Sequence, residues 1–243
     1  MSRAWDCEQA SFRSTDSEGV ITSSFIPLHY ERNYAYPLLI WLHGPGDNEL
    51  QLRRVMPFVS LRNYVAVAPR GTMRTAGEAH TWSQEAGSIE LAEHRVLAAL
   101  ELATRRFNVS SQRIFLGGYD AGGTMALRVG FRRPDLFAGV ASIGGSFPVG
   151  HHPLIQFDRV RDLPVLLSHG RDSDSCSEDI VCRNLKLLHA AGISTTLRQY
   201  PCGDDLTTQM LRDLDGWMME RVTGESSVRD ATPTSSRGFD HQN

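Results

Sequence analysis

Apolar residues fall in two rhythms along this chain. Short unbroken runs alternate with longer stretches in which apolar positions recur at helical spacing. Residues 36–42, Tyr-Pro-Leu-Leu-Ile-Trp-Leu, are such a run and predict a strand covered on both faces. Residues 64–68, 138–143, 163–168 and 195–200 predict further strands, as do residues 113–115, ahead of a glycine-rich turn. Residues 22–30 predict a strand that Pro27 would place near a sheet edge. Between these runs, Ile89, Ala92, Val96, Ala103 and Phe107 trace one face of a helix over residues 88–107. Similar stripes predict helices over residues 49–58, 124–131, 178–191 and 206–222, with Gly192 placed to end the third of them.

Strands alternating with helices predict an α/β fold: a doubly wound, mostly parallel sheet of about seven strands with helices on both faces. The expected organisation is a polar N-terminal arm (1–19), one α/β domain (20–222) and a disordered Ser/Thr/Asp-rich tail (223–243). In such sheets ligands meet the loops beyond the carboxyl ends of the strands. The loops at Gly44, Pro69, Asp120, Gly145, Asp172 and Asp204 should therefore gather at one edge.

Composition narrows the function. With 243 residues, 41% hydrophobic and 22% charged, the chain can bury a substantial core. A net charge of -3 without a basic run speaks against a nucleic-acid partner. No stretch is apolar and long enough to span a bilayer. The first residues lack the apolar segment of a secretory signal, and four cysteines (Cys7, Cys176, Cys182, Cys202) show no metal-binding or disulfide spacing. A cytoplasmic protein with reduced thiols and no cofactor is the expectation.

The candidate chemistry centres on residues 116–123, Leu-Gly-Gly-Tyr-Asp-Ala-Gly-Gly. A strand that turns through closely spaced glycines into a helix is the setting of a nucleophile elbow, G-x-S-x-G. Here the frame is Gly118-Tyr-Asp-Ala-Gly122, with Asp120 at its apex.

The chain resembles the phospholipase/carboxylesterase/thioesterase family of α/β-hydrolases over nearly all of residues 20–222. The matching residues are Leu42-His-Gly-Pro-Gly-Asp47, Ala66-Val-Ala-Pro-Arg-Gly71, the elbow, Pro164-Val-Leu-Leu-Ser-His-Gly170 and Thr196-Leu-Arg-Gln-Tyr-Pro-Cys-Gly203. The resemblance implies a serine hydrolase working through an acyl-enzyme, but the catalytic positions depart from it. The nucleophile position holds Asp120, the base position Asp204, and the position of the acid that orients the base Ser173. Gly44, Pro45 and Ala121 occupy the oxyanion-hole region, and Pro45 has no N–H to donate. Losing one oxyanion donor costs about a hundredfold to a thousandfold, and losing a triad member more. A carboxylate attacking an ester would give an anhydride, less stable than the substrate.

Several readings of Asp120 compete. Haloalkane dehalogenases and epoxide hydrolases resemble this frame with an aspartate nucleophile, but they need a histidine to release the intermediate. His43 and His169 lie at strand ends, where each also reads as a loop anchor. As a purely structural residue, Asp120 could cap the helix that follows it. A cluster of Asp120, Asp174 and Asp204 would suit a hard divalent cation, and Arg70 or Arg171 could neutralise the same carboxylates. The sequence favours a degenerate hydrolase that binds a small molecule in the inherited cleft. The alternatives are an ester hydrolase using Asp120 with an atypical base, and a protein-interaction module.

Overall fold

A computed structural model describes residues 11–15, 19–154 and 156–224. In chain order the elements are β1 (Ser11–Thr15), β2 (Ile21–Phe25), β3 (Tyr36–Leu42), α1 (Gln51–Val59), β4 (Val65–Pro69), β5 (Met73–Arg74) and β6 (His80–Thr81). There follow α2 (Ala86–Arg106), β7 (Val109–Tyr119), α3 (Ala121–Arg132), a 3-10 turn (Pro134–Leu136), β8 (Gly139–Ile143) and α4 (Phe157–Val160). The last are β9 (Val165–Gly170), α5 (Glu178–Ala190), β10 (Thr195–Tyr200) and α6 (Thr208–Thr223).

Eight strands form one sheet in the order β1-β2-β4-β3-β7-β8-β9-β10, and β5 with β6 makes a separate hairpin. Only the β1-β2 and β2-β4 pairs are antiparallel within the large sheet; the rest are parallel. Five strands finish together, because Leu42 is level with Gly118, Tyr119 with Ile143, Ile143 with Ser168 and Gly170 with Tyr200. That shared carboxyl edge is where the expected loops meet.

The unbroken apolar run of β3 is explained by cover on both faces: all seven residues are buried. Leu38, Ile40 and Leu42 face α2 and α3 through Ile89, Val96, Met125 and Val129. Leu39 and Trp41 face α1 and α6 through Leu52, Met56, Leu214 and Trp217. Each fully buried aliphatic side chain contributes roughly 1.5–3 kcal/mol. Trp41 also donates from Nε1 to Gln51 Oε1 (2.8 Å), which ties the end of β3 to the start of α1.

The differences from expectation lie where apolar patterning is absent. Ser11–Thr15, inside the stretch read as a polar arm, pairs antiparallel with β2 and raises the strand count of the main sheet to eight. β7 begins at Val109 rather than 113, because its first residues are polar and project past the core, with a register shift between Tyr36 and Leu38. The 72–87 excursion carries the β5-β6 hairpin, and α4 is a single short turn the sequence did not signal. α6 runs to Thr223 and stops at Gly224, whose φ of 72° is left-handed; the remainder of the expected tail, 225–243, lies outside the described residues, as do 1–10. Among the described residues no helix is long and apolar enough to cross a membrane.

Candidate active site

β7 delivers the chain to Asp120, and α3 leaves from it at Ala121. Asp120 has φ 50° and ψ −119°, a backbone region costing an ordinary residue about 1–3 kcal/mol. The surroundings hold it there. Its N–H donates to the Ile143 carbonyl (2.8 Å), and its carbonyl accepts from Thr124 N–H (2.9 Å). The flanking glycines are required by space: a Cβ on Gly118 would lie 2.8 Å from the Gly123 nitrogen and nearer still to the Gly122 carbonyl, and one on Gly122 would overlap the Leu42 and His43 carbonyls. The nucleophile elbow is therefore present as geometry.

Asp120 does not earn its place as a helix cap. Its side chain makes no capping bond to α3, and its ψ is far from the left-handed well that aspartate tolerates. Burial raises its carboxyl above the usual range, the nearby Asp204 charge pushes the same way, and the Ala121 amide opposes both.

Of the three positions expected to form the triad, Ser173 and Asp204 are joined by a hydrogen bond, and Asp204 reaches Asp120 through its charge. Ser173 Oγ donates to Asp204 Oδ1, and Ser175 Oγ donates to Asp204 Oδ2 (3.2 Å). Ser173 Oγ also accepts from the Cys176 amide (2.9 Å). The Asp204 carbonyl receives the Tyr119 hydroxyl, which fastens this loop beside the elbow. The Ser173 hydrogen bond, with help from Ser175 and the backbone around Asp174, holds the Asp204 carboxyl below its usual range. Asp204 stays ionised, while its neighbour Asp120 is biased toward the proton. Tyr119 shares this setting: burial and the charges of Asp120, Asp205 and Asp204 raise its phenol.

The region expected to form an oxyanion hole is short of donors at two of its three positions. Pro45 has no N–H. The Gly44 N–H donates to Gln51 Oε1 (3.3 Å).

His43 is a loop anchor. Gly71 N–H donates to its Nε2 (2.9 Å), so the ring proton sits on Nδ1 and is given to the Gly44 carbonyl (2.8 Å). Burial lowers its pKa, and both nitrogens are spent. Trp82 Nε1 donates to the His43 carbonyl (3.0 Å) and closes the same knot. His169 is 2% exposed on β9, its Nδ1 lacks a hydrogen-bond partner, and burial lowers its pKa. Neither histidine is among the groups acting on the Asp120 carboxyl.

The cation reading of Asp120, Asp174 and Asp204 does not fit this geometry. Among the described residues no group of three or more His, Cys, Asp or Glu side chains could hold a metal ion, and the Asp204 oxygens are occupied by serine hydroxyls. Arg70 does not neutralise the site, because its guanidinium is paired with the fully buried Glu49 (2.7 Å). Asp47 is likewise turned away, toward Arg54 and Gln51. Sequence reading missed Ser175, Gln51 and the Tyr119 hydroxyl; each acts through a partner remote in the chain, and only the Ser-rich composition of residues 173–177 hinted at the first.

The comparisons with known proteins agree with this architecture. A family model described as Phospholipase/Carboxylesterase matches residues 29–219. The chain is 28% identical over 144 residues to NocK of Nocardia uniformis subsp. tsuyamanensis, a protein named as a candidate esterase; the match covers 57% of this chain and only 40% of that protein. It is 26% identical over 212 residues to lysophospholipase-like protein 1 of Mus musculus, covering 77% of this chain and 88% of that one. A carboxylesterase from Mesorhizobium loti superposes with a TM-score of 0.70 at 19% identity, over 86% of this chain and 99% of the other, a likeness of fold. With an elbow between β7 and α3, Ser173 and Asp204 joined by a hydrogen bond and a family match across most of its length, the chain belongs to the phospholipase/carboxylesterase family of α/β-hydrolases.

Proposed function

We propose that this family member has given up acyl-enzyme chemistry and uses the inherited cleft to bind a small molecule, with Asp120 as the polar group at its floor. One observation carries the reading: the side chain at the expected base position is a carboxylate that accepts from Ser173 and Ser175. Held below the usual carboxylate range by those hydrogen bonds, it is a weak base, poorly matched to taking a proton from a nucleophile and returning it to a leaving group. The missing N–H of Pro45 and the engaged N–H of Gly44 support the same conclusion.

A second reading has one observation in its favour. Asp120 and Asp204 have carboxyls shifted in opposite directions, the pattern of an acid paired with a base. In that case Asp120 would act as the acid or nucleophile of an atypical hydrolase and Asp204 as its base.

Turnover of short-chain aryl esters and alkyl halides decides between them, with Asp120→Asn as the control. The expected result is no turnover above that control. Turnover that Asp120→Asn abolishes would overturn the binding reading and favour the second.

A further inference from the structure

Among the described residues β10 is the last strand of the large sheet, and β9 is its only strand partner. Val165 N–H donates to the Ser194 carbonyl (2.8 Å), and Arg171 N–H to the Tyr200 carbonyl (2.8 Å). In a parallel ladder successive residues turn their peptide groups to opposite sides. The N–H and C=O groups of Thr195, Leu197 and Gln199 therefore face the open edge. Open edges are normally blunted by a proline, a bulge or an edge-facing charge. β10 has neither proline nor bulge, and its one charge, Arg198, is drawn to Asp213 of α6 (3.3 Å).

Beside this edge runs α5, the connection from β9 to β10. A cavity of about 530 Å³ opens between Leu185, Lys186 and His189 of α5 and Ile193, Ser194 and Thr195 at the start of β10. Leu187, the residue after Lys186, is 46% exposed. Asp179, Cys182, Lys186 and His189 recur at helical spacing, and Lys186 and His189 place that stripe on the cavity side. The stripe is sorted by charge, with Glu178 and Asp179 at its start and Lys186 and His189 near its end. Glu178, Asp179 and Lys186 are exposed.

We propose that this edge pairs with the same edge of a second copy, β10 against β10 in antiparallel register centred on Leu197. The outward residues select that register. Leu197 faces the partner's Leu197, Thr195 faces the partner's Gln199, and every outward N–H meets an outward carbonyl. A two-fold axis perpendicular to the sheet keeps both α5 helices on one face and sets them antiparallel. The acidic end of each stripe then meets the basic end of the other, with Asp179 opposite the partner's Lys186. The same patch is complementary to itself, as a two-fold interface requires. The cavity beside Lys186 receives the start of the partner's α5.

Sedimentation velocity over a micromolar-to-millimolar range tests this, and the expected result is a reversible dimer. Gln199→Pro removes one outward N–H and leaves the bonds to β9 untouched, so it should weaken association by about a hundredfold or more. Lys186→Glu should weaken it by about tenfold, and adding Asp179→Lys should restore it. Rescue by the charge exchange separates pairing across the axis from the ordinary preference of a helix for acids at its start and bases at its end. If Gln199→Pro unfolds the chain, judged by circular dichroism, the charge exchange decides alone. A monomer at every concentration would overturn the proposal. So would a dimer indifferent to Lys186→Glu, or one weakened by it but not restored by Asp179→Lys.

Discussion

The same substitution, glycine to alanine, should have opposite effects at two places in this chain. At Gly122 in the first turn of α3, a Cβ would lie 2.7 Å from the Leu42 carbonyl carbon and closer still to the carbonyl oxygens of Leu42 and His43. Carbon atoms settle about 3.5–4.0 Å apart, so the start of α3 would have to retreat from β3 by about 1 Å. It cannot do so alone: Gly118 is packed against Gly122, and Gly123 against Ser142. An overlap with backbone has no rotamer to relieve it. After allowing about 1 kcal/mol for the better helix propensity of alanine, Gly122→Ala should destabilise by about 3–5 kcal/mol. Gly216, inside α6, has nothing within 4 Å of its built Cβ; there only the propensity remains, and Gly216→Ala should stabilise by roughly 0.8–1 kcal/mol. At about 2–4 °C per kcal/mol for a domain of this size, the first should lower the melting temperature by on the order of 10 °C and the second raise it by a few degrees. Urea titration with both variants gives the free energies directly. A Gly122→Ala protein within about 1 kcal/mol of wild type would refute the claim that packing locks the elbow.

Three other outcomes follow from charges and buried pairs. Asp120 has its carboxyl raised by burial and by Asp204, so the ionised form opposes folding. Asp120→Asn should therefore stabilise at neutral pH, with a gain that fades as pH falls through the carboxylate range and both states take up the proton; urea midpoints at pH 7 and pH 4 would show it. Glu49 is fully buried between Arg70 and Arg13, and these partners hold its carboxyl low against the opposing effect of burial. Its contribution is present above the ordinary carboxylate range and lost as pH falls through its lowered value. Glu49→Gln should cost about 1.5–3 kcal/mol at neutral pH, measurable by thermal melting, because it takes the charged acceptor from Arg13 and leaves Arg70 with Glu78 at 3.4 Å. Finally, Ser173→Ala with Ser175→Ala frees both oxygens of Asp204 and removes the main cause of its low pKa. The Asp204 carboxyl should then titrate at higher pH by NMR, with little change in overall stability, since the group is exposed.

Patterning alone located most of the fold. The buried run of β3, the stripe of α2 and the β9-α5-β10 crossover announce themselves because burial on two faces or one leaves a period in the residues. Ser11–Thr15 left none: its alternate residues face solvent, and β2 supplies the reason for it to be a strand. The positions of Asp120, Ser173 and Asp204 were legible because the elbow glycines and strand ends fix the reading frame. What they do there was not. That His43 has no free nitrogen depends on Gly71, and that Gly44 has no free N–H depends on Gln51. Both partners are ordinary residues whose role exists only after folding. The cap expected of Asp120 failed for a related reason, since the turn is set by the packing of Gly118, Gly122 and Gly123 and not by the helix that follows.

The link between Ser173 and Asp204 has a consequence for how this chain could change. Restoring a histidine at 204 alone would strip Ser173 and Ser175 of their acceptor and give the new imidazole no carboxylate to orient it. Restoring an aspartate at 173 alone would set two carboxylates against each other, with the Cys176 amide losing the hydroxyl it donates to. A serine at 120 alone would have no base. The steps at 204 and 173 each lose an existing contact before any chemistry is gained, so a working triad would need several positions to change together. The serine–aspartate clasp therefore ties two of the expected catalytic positions to each other, so that neither can be changed without altering the other's partner.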